Sequence, residues 1–286
     1  MAVYKRTYRG YAGPLTPSWP RFLVLAQYAW RGLFRSRFIT ALFVISFFYP
    51  LGAALALYAN HNTTILSLLR VHSGQLFEIN ERFFITLLMV QANFAYLLIS
   101  FAGPGLIASD VSNGAIPLYL CRPFSRTEYV LGKMAVLFKL LSWVMWVPGL
   151  VLFGVQSTLS GSAWMFANLR YAMAIFVSSI IWIVVLSLMV LALSAWVKWR
   201  IAAGALLLAS FSIPAGFGAA MDAILHTHVG LAFNLLGDFY AVWFGLFGVD
   251  PPGQLSTPTG WIMLSLISAA CLWLLSRKIR AREVVR

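Results

Sequence analysis

The chain has 286 residues, of which 61% are hydrophobic and only 10% charged. With a mean hydropathy of +0.83, this composition excludes a soluble globular domain and indicates an integral membrane protein. The formal net charge of +13 does not indicate nucleic acid, because the cations stand at the ends of apolar runs, as membrane topology requires.

Residues 1–17 carry Lys5, Arg6 and Arg9 among Tyr, Gly and Pro and show no apolar core with a cleavage site. A cytosolic tail is expected there. A helix is expected from Ser18, with Pro20 in its first turn. Phe22, Leu25, Ala29 and Leu33 recur on one face and Gln27, Arg31 and Arg35 on another, the pattern of a helix lying along a membrane surface. The apolar run at residues 38–59 is long enough, at about 1.5 Å per residue, to cross a hydrocarbon core of about 30 Å. Pro50 and Gly52 are expected to kink it, and residues 60–82 to form an external loop. A second span, residues 83–107, contains Gln91, Asn93 and Ser100 and ends in Gly103, Pro104 and Gly105. Polar side chains inside a span face protein or water. These three are therefore assigned to a helix interface or to a translocation path.

Residues 109–133 are the one long polar interruption between two runs that each cross a membrane. Ser125 and Glu128 have the spacing of a capping box, so a helix should start at Arg126, with Phe124 and Tyr129 closing a hydrophobic staple around the same turn. Upstream, Ser109 or Asp110 is expected to cap a short helix that Pro117 disturbs and Arg122 and Pro123 end. Two helical pieces joined at an angle would make a structured cytosolic loop.

The third span is expected to run from the capping box to about residue 155, with Lys133 at the interface, Lys139 snorkelling back to it, and a bend at Pro148 and Gly149. A fourth span at residues 171–197 ends at Lys198, Trp199 and Arg200, an inner anchor. The fifth, residues 201–221, contains Pro214 and Gly216, which are expected to break it. Residues 222–258 carry Asp222, Asp238, Asp250, His226 and His228 and neither Lys nor Arg, which marks the outside. The apolar stretch 231–249 is interrupted by Gly237 and Asp238, and counting it as a span would put the basic C-terminal tail outside. A re-entrant or interfacial helical pair is expected instead. A short sixth span, residues 261–275, closes against Arg277, Lys278, Arg280 and Arg282.

The expected fold is thus all-α, with six transmembrane helices (38–276), a tail and amphipathic helix before them (1–37) and a basic cytosolic tail after them (277–286). With both termini cytosolic, only Arg70, Arg82 and Arg170 of the 21 Lys and Arg residues fall outside. The two cysteines, Cys121 and Cys271, suggest neither a disulfide nor a metal site.

The order Asp110, Gly114, Leu118, Leu120, then Pro123 to Arg126, then Gly132 and Lys133 resembles the type-2 ABC transporter permeases. Many members have Glu where this chain has Asp110. The helix ending in Arg35, Ser36 and Arg37 resembles that family's N-terminal elbow helix, with Gln27, Arg31 and Arg35 as its polar stripe. The resemblance implies that the loop is a coupling helix seated in a groove of a separate ATPase. Asp110, Leu118, Leu120 and Arg126 would make contact, Gly114 would permit close approach, and Ser125 with Glu128 would hold the next helix stiff. It implies two ATPase subunits that hold ATP and Mg, a second permease subunit as homodimer or paralogous heterodimer, export along the dimer interface, short external helices before the last span, and a prokaryotic plasma membrane.

No nucleotide site is expected in this chain, because Thr127 and Met134 stand where a P-loop before and after Gly132 and Lys133 would need Gly and Ser or Thr. His226, His228, Asp222 and Asp238 offer donors of the kind zinc or copper takes, but without a ligand spacing on one element no metal is assigned. No hydrolase motif is present, and no catalytic residue is assigned. A stand-alone membrane enzyme or accessory factor working through the histidine-containing external loop is the alternative reading. A secondary transporter is disfavoured because no acidic residue is expected within a span and no inverted repeat is evident.

Overall fold

A computed structural model of the chain describes residues 21–62, 78–115, 125–226, 229–251 and 255–278. Among the described residues the regular structure is entirely helical. Helix α1 (Arg21–Leu33) precedes span 1, which is α2 (Arg37–Ile45) and α3 (Phe48–His61). Span 2 is α4 (Glu81–Ala102) and α5 (Pro104–Ser112). Span 3 is α6 (Arg126–Val144) and α7 (Trp146–Ser160). Helix α8 (Ser162–Ala167) leads to span 4, α9 (Leu169–Trp196), and span 5 is α10 (Arg200–Leu225). A 3-10 helix (Val229–Phe233) and α11 (Leu235–Phe247) precede span 6, α12 (Thr257–Lys278). Six segments of 22 to 35 residues are long and apolar enough to cross a membrane, and the chain is a multi-pass membrane protein.

Prolines divide spans 1 and 3, and in each the break falls about four residues upstream because a proline lacks the N–H that would meet the carbonyl there. Pro50 deprives Ser46, and span 1 breaks at Ser46 and Phe47, not at the proline itself. Pro148 deprives Val144, and span 3 breaks at Met145. A lipid core offers no water to replace the lost bond. Gln91 of span 2, fully buried, supplies it by donating Nε2 to the Val144 carbonyl at 2.9 Å. In span 2 the interruption falls at Gly103, directly before Pro104, and beside it the Arg200 guanidinium of span 5 donates to the Phe101 carbonyl at 3.1 Å.

Four expectations are corrected. Ser109 and Asp110 do not cap a separate helix; they lie inside α5, because Gly103 keeps right-handed helical angles and Pro104 fits the first position of the continuing helix. Span 5 is not broken at Pro214. One turn or more before the proline, the Tyr96 hydroxyl of span 2 donates to the Leu207 and Leu208 carbonyls at 3.1 and 3.0 Å, tying α10 to α4. Span 6 is not short: it begins at Thr257 and runs 22 residues. Gly237 and Asp238 do not interrupt the apolar stretch before it. The break falls at Asn234, whose side chain accepts from the Gly237 amide at 3.2 Å, and Asp238 lies within α11. At 13 residues, α11 reaches roughly 20 Å, short of a full crossing, so it forms a non-spanning helical pair with the 3-10 helix.

Span 4 is the central helix: 72% of its apolar window is buried, against 17%, 28% and 22% for spans 1, 5 and 6. It touches α4, α5, α6, α7, α10, α11 and α12. The outer spans present large apolar side chains, among them Phe48, Leu55, Ile213 and Phe217. At one end of the bundle lie α1, the loop between spans 2 and 3, and the cations Arg200, Arg277 and Lys278. At the other lie the 3-10 helix and α11, with Arg170 beside Leu246.

Candidate functional site: the clamped loop between spans 2 and 3

The loop is held at its base by one carboxylate oxygen. Asp110, in the last turn of α5, receives both the Lys133 ammonium at 2.7 Å and the Tyr129 hydroxyl at 2.7 Å on Oδ2. Tyr129 and Lys133 stand four apart on α6 and so share a face. The ammonium also lies 5.5 Å from the Tyr129 ring centre, within cation–π range. Only 7% of the Lys133 side chain and 16% of the Asp110 side chain are exposed. Ionic hydrogen bonds screened from water are the strong kind. The clamp ties the end of span 2 to the start of span 3.

The capping box is present as expected. Ser125 Oγ accepts from the Glu128 amide at 3.2 Å, and Glu128 Oε2 accepts from the Ser125 amide at 2.6 Å. Gly114, at φ +63°, turns the chain out of α5 in the left-handed region. Arg126 is exposed beside the box. Leu118, Leu120, Pro117, Arg122, Pro123 and the Phe124 half of the staple lie outside the described residues.

Helix α1 braces the same base. Its Phe22, Leu25, Ala29 and Leu33 face turns inward and packs on α6, while Gln27, Arg31 and Arg35 are exposed. Gly132 makes the crossing close: a side chain there would come within 3.0 Å of the Phe22 carbonyl and of Leu25. The Lys139 ammonium lies 4.6 Å from the Trp30 ring centre. Tyr28, Leu23 and Val24 are exposed on the outer surface of α1, a mixed apolar and basic face suited to a membrane interface.

The residues considered for a path separate. Gln91 belongs to the interface of spans 2 and 3. Asn93 is exposed, donates to its own Met89 carbonyl at 2.7 Å, and borders a cavity of about 280 Å³ with Tyr96, Trp182 and Phe211. Ser100 edges a second groove of about 790 Å³, walled by Phe101, Trp199, Arg200, Gly204 and Leu208. The groove lies between spans 2 and 5, and the cavity is closed in addition by span 4 and α11. The metal donors do not converge: Asp222 accepts from the Gly230 amide at 2.7 Å, Asp238 is buried in α11, and His228 lies outside the described residues. No group of three potential metal ligands occurs among the described residues.

Sequence reading missed the clamp. In the sequence Tyr129 reads as part of the staple and Lys133 as an interface cation, and the only local signal of the clamp is their four-residue spacing. No protein-family model matches the chain, and no curated protein does.

Proposed function

We infer that the chain is the membrane-spanning subunit of an ATP-driven transporter, an exporter, whose loop between spans 2 and 3 docks on a separate ATPase. The observation that carries this reading is the clamp of Asp110 with Tyr129 and Lys133. A loop that only connects two spans needs no buried ion pair at its base. A loop that transmits a push needs its arms fixed to each other and to the bundle, because a ligand-driven change acts only through differential contacts between states. The capping box and the packing of α1 on Gly132 add stiffness at the same place. In this reading Asp110 is a positioning residue, while Arg126, Leu118 and Leu120 make the contact, and ATP and Mg are held by the partner.

The basic end is then cytosolic by the positive-inside rule, with both termini there and the membrane a prokaryotic plasma membrane. The exposed apolar faces of spans 1 and 5 meet lipid or a second permease subunit, and the openings beside Asn93 and Ser100 would border the path. The test is functional. Ser125→Ala with Glu128→Ala should insert normally yet transport less per ATP hydrolysed when reconstituted with the ATPase. Equal transport per ATP in that variant and the parent would reduce the loop to a connector.

A further inference from the structure

The acid on α11 has no role in the reading above. Asp238 is 0% exposed, and neither of its carboxyl oxygens has a hydrogen-bond partner among the described residues. Its helix is wedged between spans 4 and 6. Phe239 and Trp243 lie 4.4 and 5.3 Å from the Trp182 ring of span 4. On the other side α11 meets Gly260 of span 6 so closely that an added side chain there would stand 2.7 Å from the Asp238 carbonyl.

The charged and titratable groups of the surrounding elements stand away from it, among them the exposed His226 that ends span 5. Span 6 brings Arg277 and Lys278, which lie over Trp273 and Trp196, roughly 25 Å along the helix from Gly260. Its Cys271 is buried further along the same helix. Span 4 brings Arg170, which donates to the Leu246 carbonyl, about 12 Å beyond Asp238 along α11. At that same end Tyr171, stacked on Phe247, donates to Glu81 of span 2, where Arg82 also stands. Span 5 brings Asp222, bonded to the Gly230 amide, and at its far end Arg200. Tyr96 is bonded to span 5 carbonyls, Tyr240 shares α11 itself, and the 3-10 helix carries no titratable side chain.

An ionised carboxylate in such a bed would be a buried charge without a partner, and such a group takes up a proton instead. We propose that Asp238 is a proton-binding site that latches α11 between spans 4 and 6: protonated, it keeps the helix seated, and ionised, it drives the helix out toward water. The direction follows from linkage. Burial pushes the carboxyl up from the ordinary range to about 7. A raised folded-state pKa gives stability that is full below the ordinary carboxylate pKa of about 4 and is lost as pH rises through the raised value. The latch sits in the half of the bundle opposite the clamped loop, level with Trp182 of span 4, and it stands whether or not ATP drives the protein.

Hydrogen exchange of the α11 amides, corrected for intrinsic rates, tests it on the full-length protein in lipid nanodiscs. Between about pH 5 and about pH 9 the opening constant of α11 should rise on the order of 100-fold, the ratio expected for one carboxyl moving from about 4 to about 7. Span 4 amides should show no such change. Asp238→Asn and Asp238→Leu, neither of which can ionise, should abolish the slope, and either one inserting is sufficient. A flat wild-type series, a slope shared by span 4, or a slope that survives in an inserted variant overturns the proposal.

Discussion

Asp110, Tyr129 and Lys133 show how a few side chains tie the end of one span to the start of the next through contacts that their own sequence positions do not advertise. Removing one member leaves the other charge largely buried without its partner, which costs more than the pair's net value. Lys133→Met or Asp110→Asn should therefore each lower stability by about 1–3 kcal/mol. The double variant should lose less than the sum of the two. Unfolding in detergent micelles, followed by tryptophan fluorescence, measures this, and strictly additive losses would mean that the pair is not coupled. Gln91 makes a similar point about the prolines. Gln91→Leu strands the Val144 carbonyl and should cost about 1–3 kcal/mol. In a Pro148→Ala background the restored N–H takes that carbonyl and the loss should shrink, whereas an equal loss in both backgrounds would contradict the account.

Among the helices, what could be read from the sequence was what neighbours along the chain decide. The Ser125 and Glu128 capping box, the amphipathic face of α1 and the existence of six spans are local patterns, and the helices follow them. The ends and breaks were less legible, because a proline acts on a carbonyl four residues away and a distant side chain such as Gln91 or Tyr96 decides how that carbonyl is met. Gly237 and Asp238 read in the sequence as an interruption of an apolar run, yet the helix runs through both. The clamp depends on residues 110 and 129 meeting in space, which spacing cannot tell. For α1 two substitutions separate packing from surface seating. Gly132→Leu should push α1 off α6 and expose it to limited proteolysis. Arg31→Glu with Arg35→Glu should keep that packing but weaken the hold on anionic vesicles by about 1 kcal/mol per charge. If the charge-reversed protein is protected alike in anionic and zwitterionic vesicles, α1 does not seat on a charged surface.

The bundle as a whole has a buried centre of spans 2, 3 and 4 and a periphery of spans 1, 5 and 6, and most of the described cations, Arg82 and Arg170 excepted, stand at the end where spans 2 and 3 are clamped together. In a background with both native cysteines replaced, Ser160→Cys should react on intact cells with a membrane-impermeant thiol reagent and Asn113→Cys should not. Labelling at Asn113 would invert the proposed orientation and put that end of the bundle outside. The central claim is that this end docks an ATPase, and purification from native membranes tests it most directly. The tagged protein should bring with it Mg-dependent ATP hydrolysis that falls several-fold in Leu118→Asp, with the six-span chain still inserted and monodisperse. Purified wild-type protein with no associated hydrolysis, or hydrolysis undiminished in Leu118→Asp, would contradict it.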